Sequence, residues 1–248
     1  LRTAGGAGRP AHVFVTQNGD WPAYATGAEY RFFGCDGLVC INPDYFDRNK
    51  DRYRCALIPN GVDTERFRPG AGDRGRFGLP ADGPIVLMVS ALIASKNVDE
   101  GRIPHAGDGP LRDDMQALAD AHLPGRYKRI SVPAEAMPDL YRSADSVLHL
   151  SRDESFGNVY TEAMASGVPI VAYESDRTRW IVGEEGFFAD PELPASLTAE
   201  IERALRQGGC AGPGMVERAR DFTWSRVARH YRGFFGEVAA ARSAQTPS

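Results

Sequence analysis

Short, uninterrupted apolar runs alternate with amphipathic stretches along the chain. His12-Val13-Phe14-Val15-Thr16, the run from Cys35 to Asn42, and Cys55-Ala56-Leu57-Ile58 each predict a buried strand. Residues 67–82, rich in Gly, Pro and Arg, predict an interdomain linker. Pro84-Ile85-Val86-Leu87-Met88-Val89 then opens a second series of strands, continued by Ser146-Val147-Leu148-His149-Leu150 and Ile170-Val171-Ala172. Strands alternating with helical stretches predict an α/β fold with doubly wound parallel sheets. The expected division lies near residue 70, giving a first domain over residues 1–70 and a second over residues 71–248. Trp224, Val227, Tyr231, Phe234 and Val238 recur at helical spacing, which predicts a last helix packed on a core and capped by Thr223.

Composition narrows the function classes. The hydrophobic and charged fractions, 42% and 25%, are those of an ordinary globular protein. A net charge of −4 argues against a general nucleic-acid footprint. No apolar stretch is long enough to cross a membrane. Cys35, Cys40, Cys55 and Cys210 form no C-x-x-C pair and no metal-ligand spacing, so reduced thiols in a cytoplasmic protein are expected. The basic segment Arg48-Asn49-Lys50-Asp51-Arg52-Tyr53-Arg54 offers a peripheral contact with the inner face of a membrane, although a solvated helix end is the plainer reading.

Glu154 to Glu174 is the most informative segment. The polar residues Ser151-Arg152-Asp153-Glu154 follow an apolar run, at the strand end where open α/β sheets bind ligands. Ser155 is placed to cap a helix, and Gly157 lets the backbone pass close to a ligand. Backbone N–H groups of Phe156, Gly157, Asn158 and Val159 would then project from a helix start, a natural anion site. Glu162 lies just over a turn into that helix, within reach of two ribose hydroxyls, and Glu154 precedes it. Gly167 stops the helix and Pro169 leads into the next strand.

This string resembles the sugar-donor motif of the retaining glycosyltransferases of family 4, which have two facing Rossmann-like domains of the GT-B type. Four further strings resemble the same family: Ile58-Pro59-Asn60-Gly61-Val62-Asp63, Ala106-Gly107-Asp108-Gly109-Pro110-Leu111, Leu140-Tyr141-Arg142-Ser143-Ala144-Asp145 and Phe222-Thr223-Trp224. The last implies a final helix that returns to the first domain. The resemblance implies that Phe156, Gly157, Asn158 and Val159 hold a donor diphosphate through backbone amides. It also implies that Glu162 binds the ribose, Glu154 the donor sugar, and Lys96 the departing diphosphate. Backbone groups around Ser131 and Val132 would meet the base. The implied reaction moves a sugar from a nucleoside diphosphate, UDP or GDP foremost, to an acceptor hydroxyl with retention and without a metal ion. The acceptor is a saccharide, a lipid-linked sugar or a small molecule, with Asp20, Trp21 and Tyr24 placed to line its pocket.

The chain departs from the family pattern in three places. Ala91 stands where most members carry an arginine, with Arg152 and Arg179 as candidate substitutes. Gln17-Asn18-Gly19-Asp20 occupies the position of a frequent histidine. A complete first domain would place roughly 100 further residues ahead of His12, and the interval from Lys96 to Ala106 is shorter than a helix and strand require. Competing readings are a nucleotide-sugar epimerase on the same scaffold and a nucleotide-sugar-binding protein without catalytic activity.

Overall fold

Two parallel sheets organise the chain. The structure is a computed structural model, described here for residues 10–16, 35–90, 105–106, 109–152 and 154–244. Its contacts divide the chain into two units. One comprises Leu1–Gly61, Glu154–Phe156 and Phe222–Ser248, and the other comprises Val62–Asp153 and Gly157–Asp221. The division falls after Gly61, and the segment Phe222–Ser248 groups with the first unit.

In the first unit, β1 (Val13–Thr16), β2 (Gly37–Cys40) and β3 (Cys55–Leu57) pair in parallel in that order. The apolar runs form strands because β2, in the middle, is buried along its whole length. On one face Leu38 and Cys40 pack with Tyr45 of α1 (Pro43–Asn49). Asn42 caps that helix: its side-chain oxygen accepts from the Tyr45 amide at 2.8 Å, with Pro43 at the first helical position. On the other face Val39 and Ile58 pack with Val227, Phe234 and Val238 of α8 (Trp224–Ala244). Gly37 permits that approach, since a Cβ there would lie 2.7 Å from a Val238 methyl. Asp36 ties the two ends of the chain together. Its carboxylate accepts from the His12 amide at 2.7 Å and from Arg242 at 2.6 Å. Trp224 departs from the expected core position: it is 57% exposed, and its indole lies over Gly61.

The second unit contains β4 (Val86–Val89), β5 (His105–Ala106), β6 (Ser146–His149), β7 (Ile170–Tyr173) and β8 (Phe187–Ala189). All are parallel, in the order β5-β4-β6-β7-β8. This is the doubly wound 2-1-3-4-5 arrangement, whose strand order reverses between β4 and β6 and leaves a crevice outside their carboxyl ends. Its helices are α2 (Arg112–His122), α3 (Met137–Arg142), α4 (Asn158–Ala165), α5 (Asp176–Val182), α6 (Pro194–Leu205) and α7 (Pro213–Arg220). β6 is buried throughout. Residues 67–82 are not a loose linker. Phe67 and Phe77 are buried, and Arg74 pairs with Asp145 at 2.6 Å while donating to the carbonyls of Ala81 and Gly83. Apolar anchors every ten residues and one multidentate arginine fasten the segment to its own unit.

Candidate functional site

The switch point between β4 and β6 directs attention to the loop after β6. There the chain enters α4 through Gly157, which adopts φ 91° and ψ 68°. That left-handed conformation costs an L-residue about 1–2 kcal/mol and costs glycine little. Among the described residues no side chain caps the helix start. The expected Ser155 cap is absent because the left-handed turn at Gly157 begins the helix later in the chain. The Ser155 carbonyl instead accepts from the side-chain Nδ2 of Asn42 at 2.7 Å. The first amides of a helix have no intrahelical acceptor, and no bond from the Val159 amide is present among the described residues. Asn158 is exposed and Val159 half-buried. The Phe156 ring is wholly buried against Phe222, at 5.8 Å between centroids, so this side chain is part of the core and only its backbone can serve a ligand. Glu154 is half-buried in the loop that leads to α4.

Glu162 occupies the next turn of α4. The fully buried Tyr141 of α3 donates its hydroxyl to Glu162 Oε2 at 2.8 Å. The other carboxylate oxygen has no partner among the described residues. Burial pushes the Glu162 carboxyl above its ordinary value, while the Tyr141 hydroxyl and the Arg66 guanidinium pull it back down. Burial and the adjacent carboxylate together hold the Tyr141 hydroxyl protonated, well above its usual range. Tyr141 is therefore a fixed donor that orients Glu162.

Arg66 links this carboxylate to a second loop. Asp63 Oδ1 accepts from the amides of Glu65 and Arg66, both at 3.1 Å, and the Asp63 carbonyl accepts from the Phe67 amide at 2.8 Å. The resulting tight turn sets the Arg66 guanidinium 5.2 Å from the Phe67 ring centroid, where it donates to the Ala134 carbonyl. Phe67 in turn meets Tyr141 edge to face at 6.0 Å. Ala134 follows Val132, which is half-buried. Glu162 and the Val132 loop are thus joined through Arg66, Phe67 and Tyr141.

Lys96, Ala91 and the Asp20, Trp21 and Tyr24 group lie outside the described residues. The two suggested substitute arginines are already engaged. Arg179 pairs with Glu174 at 2.5 Å and lies over Phe188, and Arg152 pairs with Glu192 at 2.8 Å and lies over Tyr173. Sequence reasoning missed Tyr141 and Arg66 as site residues. A tyrosine beside a leucine in a short helix that precedes a buried strand calls for a partner for its hydroxyl, which was the available signal for the first. Among the described residues, no three His, Cys, Asp or Glu side chains gather closely enough to hold a metal ion, and no helix is long and apolar enough to cross a membrane.

Comparisons with known proteins agree with this architecture. The family described as Glycosyl transferases group 1 matches residues 75–207. A D-inositol 3-phosphate glycosyltransferase of Geodermatophilus obscurus is 28% identical over 270 residues, covering 92% of this chain and 60% of its own length. A solved sucrose-phosphate synthase of Thermosynechococcus elongatus superposes with a TM-score of 0.74 at 25% identity, covering 84% of this chain and 59% of that one. The Anabaena protein HepE, solved with UDP and glucose, gives a TM-score of 0.75 at 19% identity, covering 92% and 72%. These structural neighbours are GT-B glycosyltransferases, and this chain shares their α/β fold of parallel sheets. The chain spans between 51% and 60% of the length of the first curated relatives it matches. A family match over more than half of its residues, including the whole of β6, α4 and β7, makes this chain a member of the glycosyl transferases group 1 family.

Proposed function

We propose that the protein transfers a sugar from a nucleoside diphosphate donor to an acceptor hydroxyl, with retention at the anomeric carbon. One observation carries this reading. A helix without a side-chain cap among the described residues opens at a left-handed glycine, beside the switch point of a doubly wound sheet, and bears on its next turn a carboxylate oriented by a buried tyrosine. Helix-start amides favour a diphosphate, and the open oxygen of Glu162 suits a ribose hydroxyl. Glu154 then holds hydroxyls of the donor sugar. Lys96 neutralises the diphosphate as it leaves, where a fixed ammonium stabilises most the charge that develops in the transition state. The relatives named for glycosyl transfer, and a structural neighbour solved with UDP and glucose, support the same reading.

A thermal-shift panel of UDP-, GDP-, ADP- and dTDP-sugars tests it. A stabilising nucleotide sugar identifies the donor by linkage, and no stabilisation by any of them would refute the proposal. Release of nucleoside diphosphate is then followed with and without acceptors. Glu154→Ala and Lys96→Ala are expected to abolish turnover, and turnover that survives both overturns the roles given to them. Donor binding without any turnover would favour the non-catalytic binding protein.

A further inference from the structure

The network around Glu162 contains a cation that the donor reading leaves unused. Arg66 is exposed, yet its backbone is fixed by the Asp63 turn and its guanidinium by the Ala134 carbonyl and the Phe67 ring. An arginine carries five N–H donors and no acceptor, and the Ala134 bond is its only side-chain hydrogen bond among the described residues. It also acts electrostatically on Glu162. A base hangs from the ribose carbon beside the 2′-hydroxyl. With the loop around Val132 taken as the one that meets the base, a group that both acts on the ribose-binding carboxylate and touches that loop at Ala134 borders the place of the base.

We propose that Arg66 reads the base of the bound nucleoside diphosphate and selects one offering a carbonyl acceptor, uracil or guanine, over adenine. The inference rests on the reading of Glu162 as the ribose-binding residue and of the loop around Val132 as the one that meets the base. Its chemistry is that of a planar fork of donors. Guanine offers O6 and N7 and uracil offers carbonyl oxygens, whereas adenine turns an amino group, itself a donor, toward the same fork. The Phe67 ring supports the guanidinium from one side, which restricts it to a narrow set of orientations and makes that discrimination geometric as well as electrostatic.

Isothermal titration of UDP, GDP and ADP into the full chain and into Arg66→Ala, Arg66→Lys and Glu162→Ala separates the outcomes. The unaltered protein should bind UDP or GDP roughly tenfold or more tightly than ADP, the worth of one good charged hydrogen bond. Arg66→Ala should bring the nucleotides within about threefold of one another by weakening the favoured one. Arg66→Lys should recover only part of the preference, because a point charge lacks the fork. Glu162→Ala should weaken all three alike, since the ribose is common to them. Equal weakening of all three by Arg66→Ala would assign the guanidinium to the phosphates and overturn the proposal, as would a preference for ADP. If none of the three binds the unaltered chain, the donor-site reading itself falls and this one with it. Unchanged melting of Arg66→Ala excludes misfolding as the cause of any loss.

Discussion

Tyr141→Phe isolates the hydroxyl that orients Glu162. The ring is fully buried and meets Phe67 edge to face, so phenylalanine preserves the packing and removes one oxygen. The lost bond is 2.8 Å long and ends on a carboxylate. Hydrogen bonds to charged groups contribute about 1.5–3 kcal/mol. Because Glu162 keeps some contact with solvent, a loss of about 1–2 kcal/mol at neutral pH is expected. The pH dependence follows from the direction of the Glu162 shift. Its carboxyl is raised in the fold, so its contribution to stability is fully present below its unfolded pKa and is lost as pH rises through the folded value. Removing the Tyr141 donor raises that carboxyl further, so the variant loses more of this stability on the alkaline side. Guanidinium unfolding at about pH 7.5 and at about pH 4, the latter below the ordinary glutamate value, should show a large loss at the first and a small one at the second. Equal losses at both pH values, or no loss at the higher, would show that the hydroxyl does not act through the ionised carboxylate. Donor affinity should fall in parallel with the neutral-pH loss, because Glu162 would no longer be held toward the ribose.

Three further outcomes are expected. Gly157→Ala forces an L-residue to φ 91°, which should cost about 1–2 kcal/mol in a thermal melt and weaken donor binding by a larger factor than global stability accounts for. Asp145→Ala removes the acceptor for both Arg74 (2.6 Å) and the Ile85 amide (2.7 Å); chemical unfolding should register a loss of about 1–3 kcal/mol, with donor binding retained. Gly37→Ala places a Cβ 2.7 Å from Val238 and 3.0 Å from Phe234. The overpacking should cost about 1–3 kcal/mol, and limited proteolysis should release α8 earlier than in the parent chain.

Much of this architecture is legible in the linear pattern, because parallel strands buried on both faces leave unbroken apolar runs. β2 and β6 are the clearest cases. The end of α4 was equally readable. Gly167 takes φ 75°, the Val168 amide reaches back to the Ala163 carbonyl, and only glycine closes a helix that way without strain. The helix start was less so. Ser155 has the chemistry of a cap, but the preference of Gly157 for a left-handed turn overrides it, and local propensity cannot say which of two adjacent signals prevails. The pairing of Tyr141 with Glu162 spans 21 residues and two elements. The Arg66 bond to Ala134 spans 68, and no periodicity encodes such a meeting. Trp224 misled for a related reason: helical spacing marks a face, and a flat neighbour such as Gly61 can receive an indole that still looks outward.

The placement of α8 dictates an order of events during synthesis. Its Val227, Phe234 and Val238 cover one side of β2 and β3, strands translated long before them. Until α8 has been translated, that sheet lacks its cover and Asp36 lacks Arg242, whereas every strand of the five-stranded sheet precedes α8 in the chain. The five-stranded body can thus mature first, while the three-stranded sheet waits for the residues of α8. A nascent polypeptide that stalls short of Val227 would leave one side of β2 and β3 bare.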